Sequence, residues 1–310
     1  MLHLLRPAAV ALAALTGPLA AAPQVATDVQ PVHSIVSRVM QGVGAPQLIV
    51  PPGASPHGLA LRPSSARLIA DADAIIWIGP ALTPWLEGSL AALAEAPVLE
   101  LTEAEGVTLL PLREGGPFEA HNHDHGHEDA HNHDHDDHAS VDAHLWLDPR
   151  NGAAIATAVA DFLAGIDPAN AEIYRTNAAA FGAELTALEA DLQARLAPVI
   201  GRPYIVFHDA YQYFEHHFDI PAVGSVTLGE ADQPSAARVS EIRARIRDVN
   251  VTCVFAEPQF EPRLIATIIE GTGTRTATLD PLGAALEPGP DLYPLLLTGL
   301  ADGLTGCLGD

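Results

Sequence analysis

The histidines of this sequence occur in two settings, and both could bind a metal ion. Eight of the fifteen lie in the stretch HNHDHGHEDAHNHDHDDHAS, residues 121–140. They are His121, His123, His125, His127, His131, His133, His135 and His138. Imidazole and carboxylate groups bind divalent cations, but a chain without fixed structure loses conformational entropy when it wraps an ion. We therefore expect this stretch to hold several ions weakly; the alternative is a solvated spacer that binds metal incidentally.

Four other side chains stand at or near the ends of predicted strands. His57 follows QLIV across the turn PPGASPHG, His208 ends YIVFH, and Asp280 ends TRTATLD. His144 lies in DAHLWLDP, a short segment that we predict to be strand-like. Ligands of open α/β sheets bind beyond the carboxyl ends of the strands, so these side chains could meet in one crevice. Three imidazoles and one carboxylate suit tetrahedral Zn²⁺, although each residue alone is more often a hydrogen-bonded bystander or a turn former.

The elements that would position these residues alternate between short apolar runs and helical patterns. This alternation predicts an α/β fold with parallel sheets. The predicted strands are 47–50, 74–79, 204–207, 251–256 and 274–280. Between the two sets, a helical pattern runs from Asp167 to Pro198, about 45 Å at 1.5 Å per residue. Its apolar positions recur every three or four residues; they are Tyr174, Ala178, Phe181, Leu185, Leu188, Leu192 and Leu196. Such a helix could join two lobes as a rigid strut, or pack on one lobe only.

These patterns divide the chain into four predicted segments. They are a signal peptide at 1–22, an N-terminal α/β lobe at 23–166, a linking helix at 167–198 and a C-terminal α/β lobe at 199–310. Residues from about 117 to 140 lack sustained periodicity, which predicts a disordered His-rich loop within the first lobe.

Charge and the N-terminal segment indicate where the protein works. The 39 acidic residues against 15 Lys and Arg give a net charge of −24, which disfavours nucleic acid and anionic membranes and attracts cations. Residues 1–22 combine Arg6, an apolar run of about ten residues and small residues before Pro23, the pattern of an export signal. The run is shorter than the roughly 20 residues of a membrane span, and no nearby cysteine could carry a lipid anchor. We expect a soluble, exported protein without membrane insertion.

Cys253 and Cys307 are the only two cysteines of the sequence. An oxidising compartment favours a disulfide between them, which would join a C-terminal helix to a strand. Two buried free thiols are the alternative. Neither cysteine has CxxC spacing, so redox catalysis and a thiolate zinc site are not indicated.

Five segments, in this order, resemble the periplasmic zinc-binding proteins of ABC importers, the ZnuA type. They are PPGASPHG, DAHLWLDP, FHDAYQYF, VTCVFAEPQF and TATLDPLG, and the resemblance runs from about Val25 to Asp310. It implies two parallel-sheet lobes joined by one long rigid backbone helix, with metal in the cleft between them. The acidic His-rich insertion and a Cys253–Cys307 disulfide also match similar proteins.

Taken position by position, the resemblance assigns the ligands of one tight Zn²⁺ site in the cleft. His57, His144 and His208 become ligands, and Asp280 matches a fourth carboxylate ligand of relatives. Manganese-selective relatives carry Glu where His208 stands, and imidazole is softer than carboxylate, so zinc is favoured. Some zinc-binding relatives have Glu before the first ligand. Here that position is Pro56, which cannot ligate, so Asp280 or water must complete the shell.

The function implied is capture of Zn²⁺ in the periplasm and its delivery to a membrane permease and ATPase, by a monomer that catalyses no reaction. A manganese or nickel importer protein, or a surface adhesin on the same scaffold, is an alternative. A zinc hydrolase is another, since three histidines with an open fourth position also form a catalytic pattern, although no HExxH motif is present.

Three residues close to these motifs lie outside the predicted ligand set. His216 and His217 are predicted to be surface residues, with a minor metal site as the alternative. Glu257 stands at a strand end, where it either supports the metal site or contacts the transporter; the sequence does not choose between these roles.

Overall fold

The structure is a computed structural model that describes residues 21–113, 118, 141–227, 234–260 and 262–309. Within these residues, the N-terminal part forms a four-stranded parallel sheet in the order β2-β1-β3-β4. Its strands are β1 (Val25–Thr27), β2 (Gln47–Leu48), β3 (Ala74–Trp77) and β4 (Val98–Glu100). The two central strands, β1 and β3, are buried throughout, as expected for parallel strands covered on both faces.

A second parallel sheet lies in the C-terminal part, in the order β5-β6-β7. Its strands are β5 (Tyr204–Ile205), β6 (Cys253–Ala256) and β7 (Arg275–Thr278). The prediction of an α/β fold with two parallel sheets is confirmed. The sequence patterns predicted no strand at β1 or β4, because their residues, VAT and VLE, do not form an unbroken apolar run.

Nine α-helices accompany the sheets in the described ranges. They are α1 (Gln30–Val39), α2 (Pro63–Asp71), α3 (Pro84–Leu93), α4 (Pro149–Ile166), α5 (Ala171–Leu196), α6 (Gln212–Phe218), α7 (Ala236–Asp248), α8 (Pro262–Ile269) and α9 (Leu292–Leu308). Proline occupies the first position of α2, α3 and α4, where its missing N–H costs no helical hydrogen bond.

The long central helix predicted from the sequence is α5, with 26 residues. Six of the seven apolar positions that predicted it are buried, and Leu188 is partly buried against the same core. α5 packs along α4 and also contacts α1 and α9. It therefore touches helices from both ends of the chain, as a strut between two lobes must. The domain boundaries at 166 and 198 stay a prediction.

Contacts between the two parts form one continuous core. The largest apolar cluster includes residues of both sheets, among them Ile76 and Phe255. Tyr293, at the start of α9, donates from its hydroxyl to the backbone oxygen of Trp146 (2.6 Å), and the indole of Trp146 donates to Pro281 (2.8 Å). The segment around Trp146 is thus bonded to the C-terminal part on two sides, and it carries His144.

The predicted disulfide between Cys253 and Cys307 is present. Both residues are buried, and the bond joins β6 to the last turn of α9. It closes a sequence separation of 54 residues, for which the chain-entropy model gives about 4 kcal/mol of stabilisation.

One local prediction is wrong. The segment DAHLWLDP is not a strand: residues Leu145–Leu147 form a 3₁₀ turn, and His144 is its N-terminal flanking residue. Leu145, Trp146 and Leu147 are all fully buried, so the segment looks like a strand in composition. It runs straight into α4, and the side chain of Asp148 caps that helix by accepting from the Arg150 N–H.

Among the helices of the described ranges, none combines the length and the apolar character needed to cross a bilayer. Nearly all of the predicted signal peptide, residues 1–20, and the His-rich stretch 121–140 lie outside the described residues.

Candidate metal centre

Three histidines from distant parts of the chain meet in the cleft between the sheets. One ring nitrogen from each of His57, His144 and His208 lies within 4.8 Å of the other two. The ring centroids are 5.3 Å apart for His144 and His208, 5.4 Å for His57 and His144, and 6.5 Å for His57 and His208. The predicted convergence of these three residues therefore occurs.

A proline-rich turn after β2 places His57. Ala54 N–H bonds to Pro51 oxygen (3.1 Å), and Gly53 sits inside this turn at a φ of +77°, a conformation that glycine adopts without strain. The indole of Trp85, on α3, donates to Pro56 oxygen (2.6 Å) and so fixes the residue before His57. His57 remains partly exposed, which leaves it as the solvent side of the cluster.

A carboxylate fixes the ring of His144. Oδ1 of Asp142 accepts from the backbone N–H of His144 (2.9 Å) and lies 2.8 Å from its Nδ1. Asp142 itself is held by its backbone, which donates to Leu110 oxygen (2.9 Å) and accepts from the Tyr213 hydroxyl (2.9 Å). The ring, the carboxylate and its supports are therefore tied to both parts of the molecule.

His208 has the same arrangement with a different carboxylate. Its Nδ1 lies 2.8 Å from Oε1 and 2.7 Å from Oε2 of Glu257, which follows β6. Both residues are buried, at 3% exposure each. Of the two roles considered for Glu257, support of the site is the one that these contacts favour.

The carboxylates determine which nitrogen faces the cleft. A carboxylate only accepts hydrogen bonds, so Nδ1 of His144 and of His208 must carry the proton, and each Nε2 then carries a lone pair. These two Nε2 atoms face each other at 3.4 Å. Two ligands of a tetrahedral Zn²⁺ at 2.0–2.1 Å are separated by roughly 3.3 Å. The pair thus already has the spacing that a shared zinc ion requires.

The site is also balanced in charge for a divalent cation. Three neutral imidazoles do not change the charge of a bound Zn²⁺, which stays +2. The carboxylates of Asp142 and Glu257 supply two negative charges directly behind the histidine rings. Without a cation, both carboxylates are buried beside neutral rings, an arrangement that attracts positive charge. The ring centroid of Trp146 lies 5.3 Å from that of His144, and the ring centroid of Phe260 lies 5.8 Å from that of His208. These aromatic rings exclude water from that side.

Asp280 lies outside this histidine cluster. Its Oδ1 accepts from the backbone N–H groups of Leu282 (3.2 Å) and Gly283 (3.0 Å), and its Oδ2 from that of Ala285 (3.4 Å). The carboxylate therefore closes the turn after β7, and its role as a fourth ligand stays a prediction.

Other predicted residues fall into three groups. The eight loop histidines lie outside the described residues. His216 is exposed, as predicted. The surface prediction for His217 is wrong: its side chain is only 5% exposed and pairs with Asp148 (2.9 Å) and Glu189 (3.2 Å).

The sequence reasoning assigned no role to Asp142, although it stands two residues before His144 in the motif. The signal that could have found it is the D-x-H spacing, since a metal-binding histidine almost always donates its other N–H to a carboxylate, carbonyl or water.

Comparison with known proteins gives a consistent result. A family model described as zinc-uptake complex component A, periplasmic, matches residues 25–307. The high-affinity zinc uptake system protein ZnuA of Brucella abortus is 46% identical over 304 residues, covering 92% of this chain and 91% of that protein. The protein of the same description from Paracoccus denitrificans is 40% identical over 330 residues, with 99% of each covered. A crystal structure of a zinc-bound ZnuA deletion mutant superposes with a TM-score of 0.74 at 26% identity, covering 93% of this chain and 99% of that one.

Proposed function

This chain belongs to the ZnuA family of periplasmic zinc-uptake components, and from that membership and the histidine cluster we propose that it captures Zn²⁺ for import. It acts as the zinc-binding protein of an ABC importer and passes the ion to a membrane permease with its ATPase. The relatives at 46% and 40% identity are named as high-affinity zinc uptake proteins. Residues 1–22 direct the chain to the periplasm, where it works as a soluble monomer.

The observation that carries this proposal is the pair of Nε2 atoms of His144 and His208, 3.4 Å apart, with His57 alongside. His57, His144 and His208 are the ligands of one tightly bound ion. Neutral imidazole favours Zn²⁺ over Mn²⁺ and binds poorly to harder ions such as Mg²⁺ and Ca²⁺. Two of the three rings are held by carboxylates, so the ion does not have to order them.

A competition titration with a chelator of known affinity tests the ligand set. The triple variant with His57, His144 and His208 replaced by alanine should lose tight zinc binding, and circular dichroism of the metal-free protein checks that it is folded. The matched control replaces His216, which is exposed and does not belong to the cluster. Retention of tight binding by the triple variant would refute the ligand set.

The His-rich stretch 121–140 is proposed to bind further ions weakly and to assist capture. Native mass spectrometry at limiting zinc compares the parent with a variant that lacks residues 119–138. The first equivalent should bind equally to both proteins, and only the later equivalents should disappear with the stretch. Loss of the first equivalent would place the tight ion on the stretch instead.

Two other activities are weighed against zinc capture. A manganese or nickel binding protein on the same scaffold would prefer its own metal in competition against zinc, whereas this ligand set should prefer zinc. A zinc hydrolase would hydrolyse ester or peptide substrates when loaded with zinc. We propose that no reaction is catalysed, since the work of a periplasmic uptake component is binding and delivery.

A further inference from the structure

One polar group in the cleft has no role in holding the three histidines. Gln259 lines the same cavity as His144, His208 and Glu257. Its carbonyl oxygen, Oε1, is buried and has no hydrogen-bond partner among the described residues. A buried amide oxygen left without a donor costs about 1–3 kcal/mol, so a donor for it is expected when the site is filled.

The other end of the same side chain is held. Gln259 Nε2 donates to Oδ1 of Asp280 (3.4 Å), and Asp280 is fixed by the backbone N–H groups of the turn after β7. Since a carboxylate can only accept, the NH₂ group must face Asp280 and the carbonyl oxygen must face away from it. The backbone is held too, because Phe260 N–H bonds to Glu257 oxygen (3.2 Å), closing the turn that contains Gln259.

Three histidines leave one position open in a tetrahedral shell. Pro56, beside His57, has no ligand atom in its side chain, and the Asp280 carboxylate is not part of the group of ligand atoms that lie within 4.8 Å of one another. A water molecule is the remaining small ligand, and a zinc-bound water is a strong hydrogen-bond donor because the ion withdraws its electrons.

We propose that Gln259 is a positioning residue for the metal ion, with its carbonyl oxygen accepting a hydrogen bond from the water that completes the shell of Zn²⁺. Asp280 acts through Gln259 by holding the amide in this orientation, and is not itself a ligand. The inference rests on the proposed function, because it assumes zinc on His57, His144 and His208. Gln259 and Asp280 thus act together to hold the water in place while the ion is bound. The same water leaves easily when the ion is released.

The test uses Gln259→Met, which keeps the length and volume of the side chain and removes the acceptor. Gln41→Met, at an exposed position, is the matched control. Zinc affinity of Gln259→Met should fall about tenfold, in the range of losses for groups that support metal ligands. Gln41→Met should equal the parent. Thermal unfolding of the metal-free proteins checks that all three fold alike.

A spectroscopic measurement separates positioning from a merely structural role. Co²⁺ replaces Zn²⁺, and sodium azide is titrated against the visible absorption of the Co²⁺-loaded protein. A water ligand is displaced by azide, so the parent spectrum should change, and Gln259→Met should change at several-fold lower azide. If azide leaves the parent spectrum unchanged, the fourth ligand is not water and the inference is wrong. It is also wrong if Gln259→Met matches the parent in both zinc affinity and azide midpoint. Failure of the parent to bind one equivalent of zinc would instead remove the proposed function.

Discussion

At the scale of single residues, the site depends on pairs of side chains. His144 with Asp142 and His208 with Glu257 each consist of a ring whose Nδ1 is engaged by a carboxylate, so that Nε2 is turned to the cleft. A carboxylate partner raises the basicity of the ligand nitrogen and prevents the ring from rotating. Folding therefore orders two of the three histidine rings, those of His144 and His208, before any ion arrives.

Replacing Glu257 by glutamine should lower the affinity for zinc by about 10- to 100-fold. The amide keeps the size of the side chain but removes the charge that favours a cation beside His208. A chelator competition titration measures the change. Glu105→Gln, at an exposed position far along the chain from the cluster, serves as the control and should not differ from the parent. Equal affinities for the two variants would mean that Glu257 only fills space.

Sequence reasoning reached the three histidines but not the pairing of a histidine with its carboxylate, for a physical reason. A histidine at the end of a strand can be placed from the sequence, because the carboxyl ends of parallel strands share an edge. The pairing of His208 with Glu257 joins residues 49 positions apart, through the register of β5 on β6. Likewise, Asp280 was predicted as a ligand from its residue type and position. The backbone N–H groups that donate to its carboxylate depend on the path of the turn after β7, which the sequence does not show.

At the scale of elements, two buried charged groups hold neighbouring segments together. Asp28, at the end of β1, accepts from Val29 N–H (2.8 Å) and from Ile78 N–H (2.8 Å), which ties the end of β1 to the end of β3. Arg113 pairs with both Asp209 and Glu215, so it anchors the segment before residue 114 to the start of α6. Neither contact is visible in the sequence, because each depends on loops whose paths no periodicity predicts.

Asp28 should make stability depend on pH. Burial raises the pKa of its carboxyl to about 7 from 3.8. Because the folded pKa lies above the unfolded one, its contribution is fully present below about pH 4 and is lost as the pH rises to about 7. The free energy of unfolding of Asp28→Asn minus that of the parent should therefore rise by a few kcal/mol across this window and stay level above it. Urea unfolding of the metal-free proteins measures the difference; a difference that is independent of pH would show that Asp28 titrates normally.

Replacing Arg113 by methionine should destabilise the fold by about 3 kcal/mol at pH 7, because the buried carboxylate of Glu215 loses its cation. Burial raises the pKa of Glu215 and Arg113 opposes this shift, so without Arg113 the carboxyl protonates more readily. The cost should accordingly shrink as the pH falls. Urea unfolding measures both effects.

The control for this variant is Arg175→Met. Arg175 pairs with Asp161 (2.9 Å), but both side chains are about 60% exposed, and such pairs contribute little. If Arg113→Met lowered the free energy of unfolding as little as this control does, the role given to Arg113 would be contradicted.

At the scale of the whole molecule, the fold brings three histidines that span 152 residues of sequence, His57 to His208, into one cleft. The α/β class, the two sheets and the long helix followed from composition and period, because these depend on local patterns that repeat. The shared core between the two parts did not follow from these local patterns. It is formed by α9 returning to α1 and α5, a contact between distant segments that only the folded chain reveals. The disulfide from β6 to α9 secures that return.

Anomalous diffraction at the zinc absorption edge tests the central claim most directly. Crystals of the protein loaded with one equivalent of Zn²⁺ should give one strong peak in the cleft, about 2.0–2.1 Å from a nitrogen of each of His57, His144 and His208. A strong peak elsewhere, with these three side chains not bound to metal, would contradict the account.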